Sequence, residues 1–185
     1  MYHIKSDKRS QRSARLITAG LDRCLAESKF EDITISTLVA EATVGRATFY
    51  RLFDSATDVL VYECDQLFET MTVDHHEFSS INTWLQTNID TFIANAVLLE
   101  TLIRTHQTQA IYAAQLRTLQ KMPFLTDRLG LPTDQIDFLN ASLAALLIST
   151  LSMWFEHHKK ESPERLFEMI KVTIQSLSVG LADLS

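Results

Sequence analysis

Glycine and proline are scarce: the 185-residue chain holds four of the first and three of the second, well below the roughly 7% and 5% of average usage. Sheets and barrels of this size need many turns built on Gly, Pro, Asn and Asp, so the scarcity excludes them and points to long helices. Cysteine is nearly absent, and Cys24 and Cys64 fit no metal or redox spacing, which leaves them as small buried hydrophobes. No Glu-x-x-His, His-Glu-x-x-His, phosphate-binding loop or nucleophile elbow occurs, so neither an enzyme nor a cofactor or metal site is expected. The adjacent pairs His75-His76 and His157-His158 would point about 100° apart on a helix and are read as surface or loop histidines. The opening stretch MYHIKSDKRSQR lacks the apolar core of a signal peptide, so a cytoplasmic location is expected.

What is present is an ordinary globular composition, with 46% apolar and 22% charged residues. The net charge is −6, yet it is unevenly placed. Residues 1–53 carry nine Lys and Arg against six Asp and Glu, whereas residues 54–185 carry eight against seventeen. A basic amino-terminal third joined to an acidic remainder implies a polyanion-binding module attached to something that must avoid polyanions.

The hydrophobic spacing predicts a first helix from about Ser10 to Ser28, with Ala14, Ile17, Leu21 and Leu25 on one face. Phe30 covers that core. A short helix follows, with Thr34 as N-cap and Ile35, Leu38, Val39 and Ala42 inward. After the break Thr43-Val44-Gly45, a second short helix runs from Arg46 to Phe53, with Phe49 and Phe53 four apart. A fourth helix begins near Ser55, its N-cap candidate, and His75 to Ser80 is a polar connection. Helices are then expected over about Ile81–Ala94, Ala96–Thr105 and Thr108–Lys121, before breaks at Met122-Pro-Phe and Gly130-Leu-Pro132. Two long helices close the chain, about Thr133–Lys160 and Pro163–Asp183, the latter with Ser162 as N-cap and Pro163 at its first position.

Phe138 to Phe155 contains no charge and approaches the length of a membrane span. Asn140, Ser142, Ser149, Thr150 and Ser152 within it, and charged flanks on both sides, favour a buried helix with no membrane partner. Two stripes divide this helix. Leu139, Leu143, Leu146, Leu147, Thr150 and Trp154 suit the interior, while Phe138, Ala141, Ala145, Ile148, Ser152 and Phe155 lie nearly opposite. The last helix has its own apolar face, with Leu166, Phe167, Ile170, Ile174, Leu177 and Leu181. Excess apolar surface on two adjacent terminal helices is what a homodimer interface requires. Its residues are then Ala141, Ala145, Ile148, Ser152, Phe155, Ile170, Ile174 and Leu177. The alternative is that shorter helices of the same chain cover these faces.

The two short helices and their three-residue turn, placed behind a longer first helix, form a helix-turn-helix pattern. The second of them offers Arg46, Ala47, Thr48, Tyr50 and Arg51 outward, with no acid to repel phosphate. The segment from Phe30 to Leu60, F-EDITISTLVAEATVGRATFYRLFDSATDVL, resembles the DNA-binding domain of the TetR family of bacterial transcription regulators. The resemblance rests on the aromatic before the second helix, Thr34, Ala40 and Ala42, Val44, Thr48-Phe49-Tyr50, Phe53 and Leu60. With the first helix it covers about 45 residues, and beyond them only helix count, length and the two long terminal helices agree.

The resemblance implies double-stranded DNA as partner, with Arg46, Thr48 and Arg51 as groove contacts. Tyr50 and Thr34 would bind phosphates, and Arg12 and Arg15 would add backbone or minor-groove contacts. Thr43 stands where the family usually has glycine, Gly45 where it has a serine cap, and Ala56 where a lysine is common. A β-branched residue with positive φ at Thr43 is strained.

The expectation is therefore an all-α chain of about nine helices. Residues 1–54 would form a three-helix helix-turn-helix domain, and residues 55–185 a helical ligand-binding and dimerisation bundle. The implied function is a homodimeric repressor released from its operator by an unidentified small molecule. The alternative is a DNA-binding protein gated by a protein partner, or ungated, whose bundle only dimerises. Candidate ligand contacts on inner faces are Phe68, Trp84, Phe92, Tyr112, Asn140 and Leu143, with Asn140 foremost because an amide within an apolar run needs a partner.

Overall fold

The computed structural model describes residues 1–74, 80–121 and 130–182, and these are helical throughout apart from turns and one isolated antiparallel bridge, Tyr2 with Phe53. The helices are α1 (Lys8–Glu27), α2 (Ile35–Glu41), α3 (Arg46–Leu52), α4 (Ala56–Asp74), α5 (Ile81–Ala94), α6 (Ala96–Arg104), α7 (Thr108–Gln120), α8 (Thr133–Glu156) and α9 (Pro163–Ala182). His75, His76 and the Met122-Pro-Phe break lie outside the described residues, as does the side chain of Leu177. The chain divides into two compact units, Met1–Leu67 and Phe68–Ser185.

In the first unit the starts of α1, α2 and α4 each have a polar side chain that satisfies an otherwise orphaned N–H. Asp7 accepts from the Ser10 N–H at 2.9 Å, so α1 starts two residues ahead of the expected Ser10. Thr34 accepts from the Thr37 N–H at 3.1 Å. At the start of α4, Ser55 Oγ accepts from the Asp58 N–H at 3.2 Å while the Asp58 carboxylate accepts from the Ser55 N–H at 2.9 Å, a reciprocal capping box. The core joins Ala14, Ile17 and Leu21 of α1 to Leu38, Val39 and Ala42 around α2 and to Phe49, Leu52 and Phe53. Tyr62 on α4 packs edge-on against Phe53 and Tyr2, with centroids 5.7 and 5.2 Å apart. The first turns of α4 thus belong to this unit, and its boundary falls at Leu67 rather than in the loop before α4.

At Gly20 α1 passes close against Ala42, the residue that ends α2. A Cβ there would sit 2.8 Å from both Cβ and N of Ala42, so the position admits only hydrogen. The scarcity of glycine shows elsewhere as strain. Helices α2, α6 and α8 each end in a left-handed residue that is not glycine: Thr43 (φ 53°), His106 (φ 59°) and His158 (φ 58°). All three ends are Schellman motifs. After α2, for example, the Val44 N–H donates to the Val39 carbonyl at 3.0 Å and the Thr43 N–H to that of Ala40 at 3.1 Å.

In the second unit α7 lies along α8, α5 against α9, and α6 against both α7 and α8. Trp84, Leu85, Ile89, Leu99, Leu102, Ile111, Ala144 and Leu147 fill its core. A polar pair is set inside it: Gln115 Nε2 donates to Asn88 Oδ1 at 2.7 Å, and Asn88 Nδ2 donates to the Trp84 carbonyl at 2.8 Å. Helix α8 is long and apolar enough to span a membrane by length and composition, yet it presents Ile136, Asn140, Leu143, Ala144, Leu147, Ile148, Leu151 and Trp154 to the interior.

Two sequence expectations change here. Helix α8 stops at Glu156, four residues short of Lys160, because the N–H groups of His158 and Lys159 turn back onto the carbonyls of Phe155 and Trp154, both at 2.9 Å. Ile148 and Ile170, assigned to a surface for a second copy, are buried within their own chain. The interior face of α8 reaches further round than an even division into two stripes allows.

Candidate nucleic-acid interface

Residues 33–53 contain one acid, Glu41, and the fold occupies it. The Arg23 guanidinium lies 3.5 Å from its carboxylate and donates to its backbone carbonyl. Helix α3 therefore presents a face free of negative charge. Phe49 and Leu52 point inward, which leaves Arg46, Ala47, Tyr50 and Arg51 exposed and Thr48 half-buried. Tyr50 is 54% exposed although apolar in its body, and its ring stands edge-on to Phe49 with centroids 5.4 Å apart. The core thus fixes the ring while the phenol faces water. Gly45 caps α3 without a side-chain hydrogen bond, and its carbonyl accepts from the Thr48 N–H at 2.9 Å.

The structure brings Arg46 to α2, where its guanidinium donates to Ser36 Oγ. Thr34 is exposed at the start of α2 and its hydroxyl pairs with that of Thr37 at 2.9 Å. Ser36 and Thr37 are exposed as well. A row of hydroxyls on α2 thus stands beside the arginine of α3, and of these only Thr34 was expected. The missed signal was the polar outward register of α2, which places Ser36 and Thr37 within its first turn. Arg12 and Arg15 are exposed on α1, apart from the α2–α3 pair. Such an arrangement, with exposed guanidiniums, hydroxyls and a phenol on one short helix pair, can contact phosphates and base edges.

In the second unit Phe68, Trp84, Phe92, Asn140 and Leu143 are buried, and Tyr112 is half-buried. Phe68 and Phe92 meet edge-on, with centroids 6.4 Å apart. Four buried polar atoms of this unit lack partners among the described residues: Trp84 Nε1, Gln115 Oε1, Asn140 Oδ1 and Glu161 Oε2. Each of the first three costs about 1–3 kcal/mol of desolvation. A cavity of about 230 Å³ opens elsewhere, between α8 and α9, lined by residues from Leu146 to Thr173. None of the six expected ligand contacts lines it.

No family model matches the chain, and no curated protein matches it. Solved structures do. Lin0861 from Listeria innocua superposes with a TM-score of 0.76 at 18% identity, covering 95% of this chain and 96% of its own. A TetR transcriptional regulator from Streptococcus agalactiae gives 0.62 at 22% identity, with coverages of 89% and 94%. A proposed TetR-family transcriptional regulator from Syntrophomonas wolfei gives 0.61 at 18% identity, with 94% and 98%. The chain has a TetR-like, all-helical fold.

Proposed function

We propose that this protein is a DNA-binding transcription regulator, a cytoplasmic homodimeric repressor whose hold on its operator is released by a small molecule. The single observation that carries the reading is α3: a short helix anchored by Phe49 and Leu52, with Arg46, Tyr50 and Arg51 exposed and no acid on it. The fold shared with TetR-family regulators supports it. Arg46, Thr48 and Arg51 are assigned to the major groove, and Thr34, Tyr50, Arg12 and Arg15 to phosphates. Dimerisation is assigned to the outward faces of α8 and α9. Phe138, Met153 and Val172 are more than half exposed there, and Ala141, Ala145, Ser152, Phe155 and Ile174 share the surface. Asn140, with its unpaired carbonyl oxygen, is the group assigned to ligand recognition in the bundle, together with Phe68, Trp84, Phe92, Tyr112 and Leu143.

Fluorescence anisotropy on labelled duplex DNA tests this. The native protein is expected to bind with an affinity that falls steeply as salt rises, and the Arg46→Ala/Arg51→Ala variant to lose most of that affinity. Equal binding by native and double variant would refute the assignment.

A further inference from the structure

The chain's opening residues lie along the corner where α3 turns into α4. Helix α3 has only seven residues, far below the roughly 12–15 at which a helix holds by itself, so its aim depends on what grips it. The core holds its inner face through Phe49 and Leu52. At its C-terminal end the last carbonyls have no partner within the helix, and that of Leu52 accepts from the His3 N–H at 2.8 Å. Phe53 is extended, at φ −141° and ψ 139°, and pairs with Tyr2 in the isolated antiparallel bridge. On the corner itself His3 Nε2 lies 3.2 Å from Asp54 Oδ1.

The side chain of Tyr2 carries this strap on to α4. Its ring stands edge-on to Tyr62, with centroids 5.2 Å apart, and Tyr62 in turn packs against Phe53 at 5.7 Å. Its hydroxyl donates to Asp65 Oδ2 at 2.6 Å, a charge-assisted hydrogen bond. Between Phe53 and the start of α4 the chain has only Asp54 and Ser55, so the strap braces a corner that a short link would leave free to hinge. It is poorly suited to touch DNA. Tyr2 is half-buried, and the side-chain partners of Tyr2 and His3 are the carboxylates of Asp65 and Asp54, which phosphate would repel. Its influence on recognition must therefore pass through α3. A binding constellation has to be held within about 0.5 Å and 10–20° of its working geometry, and base edges, unlike phosphates, carry the sequence information that such errors destroy.

We propose that Tyr2 is a positioning residue for sequence recognition: it locks the α3–α4 corner and so sets the angle at which Arg46, Thr48 and Arg51 meet the groove, without contacting DNA itself. The inference rests on the DNA-binding reading above.

The test compares the full-length native protein, Tyr2→Phe and Tyr2→Ala at a temperature where circular dichroism shows each to be folded. The probes are a duplex that the native protein recovers from genomic DNA and a shuffled duplex of the same composition. Tyr2→Ala should lose about ten-fold in preference for the recovered duplex, within the range that one mismatched base pair costs, and keep its affinity for the shuffled one. Tyr2→Phe retains the rings and loses only the bond to Asp65, so it should retain part of that preference. Without DNA, amide hydrogen exchange in Tyr2→Ala should quicken at His3, Leu52 and Phe53 and stay at the native rate at Ile17 and Leu21 of α1. An unchanged preference in Tyr2→Ala would overturn the proposal, as would equal losses on both duplexes, the result expected if Tyr2 contacted phosphate. Exchange that quickens evenly across the unit would assign Tyr2 to stability alone and overturn it too. A native protein that prefers neither duplex would instead overturn the DNA-binding reading, and this role with it.

Discussion

Thr43 sits at the left-handed position that ends α2, with φ 53°, and it is exposed. A residue with a Cβ in that region costs about 1–2 kcal/mol, and β-branching places Thr toward the upper end. Replacing it by glycine removes that strain but gives the unfolded chain more freedom, a loss of about 0.5–1 kcal/mol. The hydrogen bond from Thr43 Oγ1 to the Ala42 carbonyl, 2.8 Å, also goes, but at an exposed site it contributes little. The net gain is about 0.5–1 kcal/mol. For a chain of this length that corresponds to an increase in Tm of about 1–4 °C. The control is Thr43→Ala, which loses the hydroxyl and the β-branch but keeps a Cβ in the left-handed region, and it should melt below Thr43→Gly. Thermal denaturation of the three proteins, followed by circular dichroism, decides the matter. A Thr43→Gly variant no more stable than Thr43→Ala would refute the claim that the turn stores backbone strain.

Three further outcomes follow from the packing and charge of the first unit. Gly20→Ala drives a methyl group into the backbone of Ala42 and is expected to lower stability by about 1–3 kcal/mol in urea denaturation; a neutral result would mean that α1 and α2 separate freely. Burial first, and then the charge and hydrogen bond of Asp22, push the Glu63 carboxyl up to about 8. The folded state therefore keeps a proton that the unfolded chain releases near its ordinary value of 4.5, so stability should fall as pH rises from about 4.5 to 8 and then level off. Glu63→Gln should flatten that slope and raise the urea midpoint at pH 8, and an unchanged slope would assign the effect to other groups. On DNA, Tyr50→Phe should weaken binding uniformly across sequences, whereas Arg46→Ala should cost about 1–3 kcal/mol and relax preference at particular base pairs. Uniform losses from both in a competition assay would contradict the roles assigned.

The helices were legible in the sequence because their ends are written in caps and apolar spacing. Thr34, Ser55 and Ser162 all cap as read, each accepting a hydrogen bond from an N–H three residues on. The end of α8 was not legible, because the signal for a left-handed stop is glycine and here the position is His158. The role of Gly20 was hidden for the opposite reason: a lone glycine inside a helical pattern says nothing about which neighbour approaches it. Ile148 was misplaced because a helix apolar on every side gives no clue to how far round its covered face extends, and Ile170 because an apolar face does not say whether its own chain, here α5, or a second copy covers it. The arginines and tyrosine of α3 stood out by their register, whereas Ser36 enters the interface only through its contact with Arg46. The α8–α9 cleft depends on a loop that closes it, and periodicity does not describe loops.

The central claim is that two copies of α3 read DNA together. Purified protein should be used to select fragments of genomic DNA at near-physiological salt, and the recovered sites footprinted at nucleotide resolution. An inverted repeat is expected, its half-sites about 34–36 Å or a multiple of that apart. Recovery of fragments without a common site, bound in a manner that salt alone controls, would contradict it.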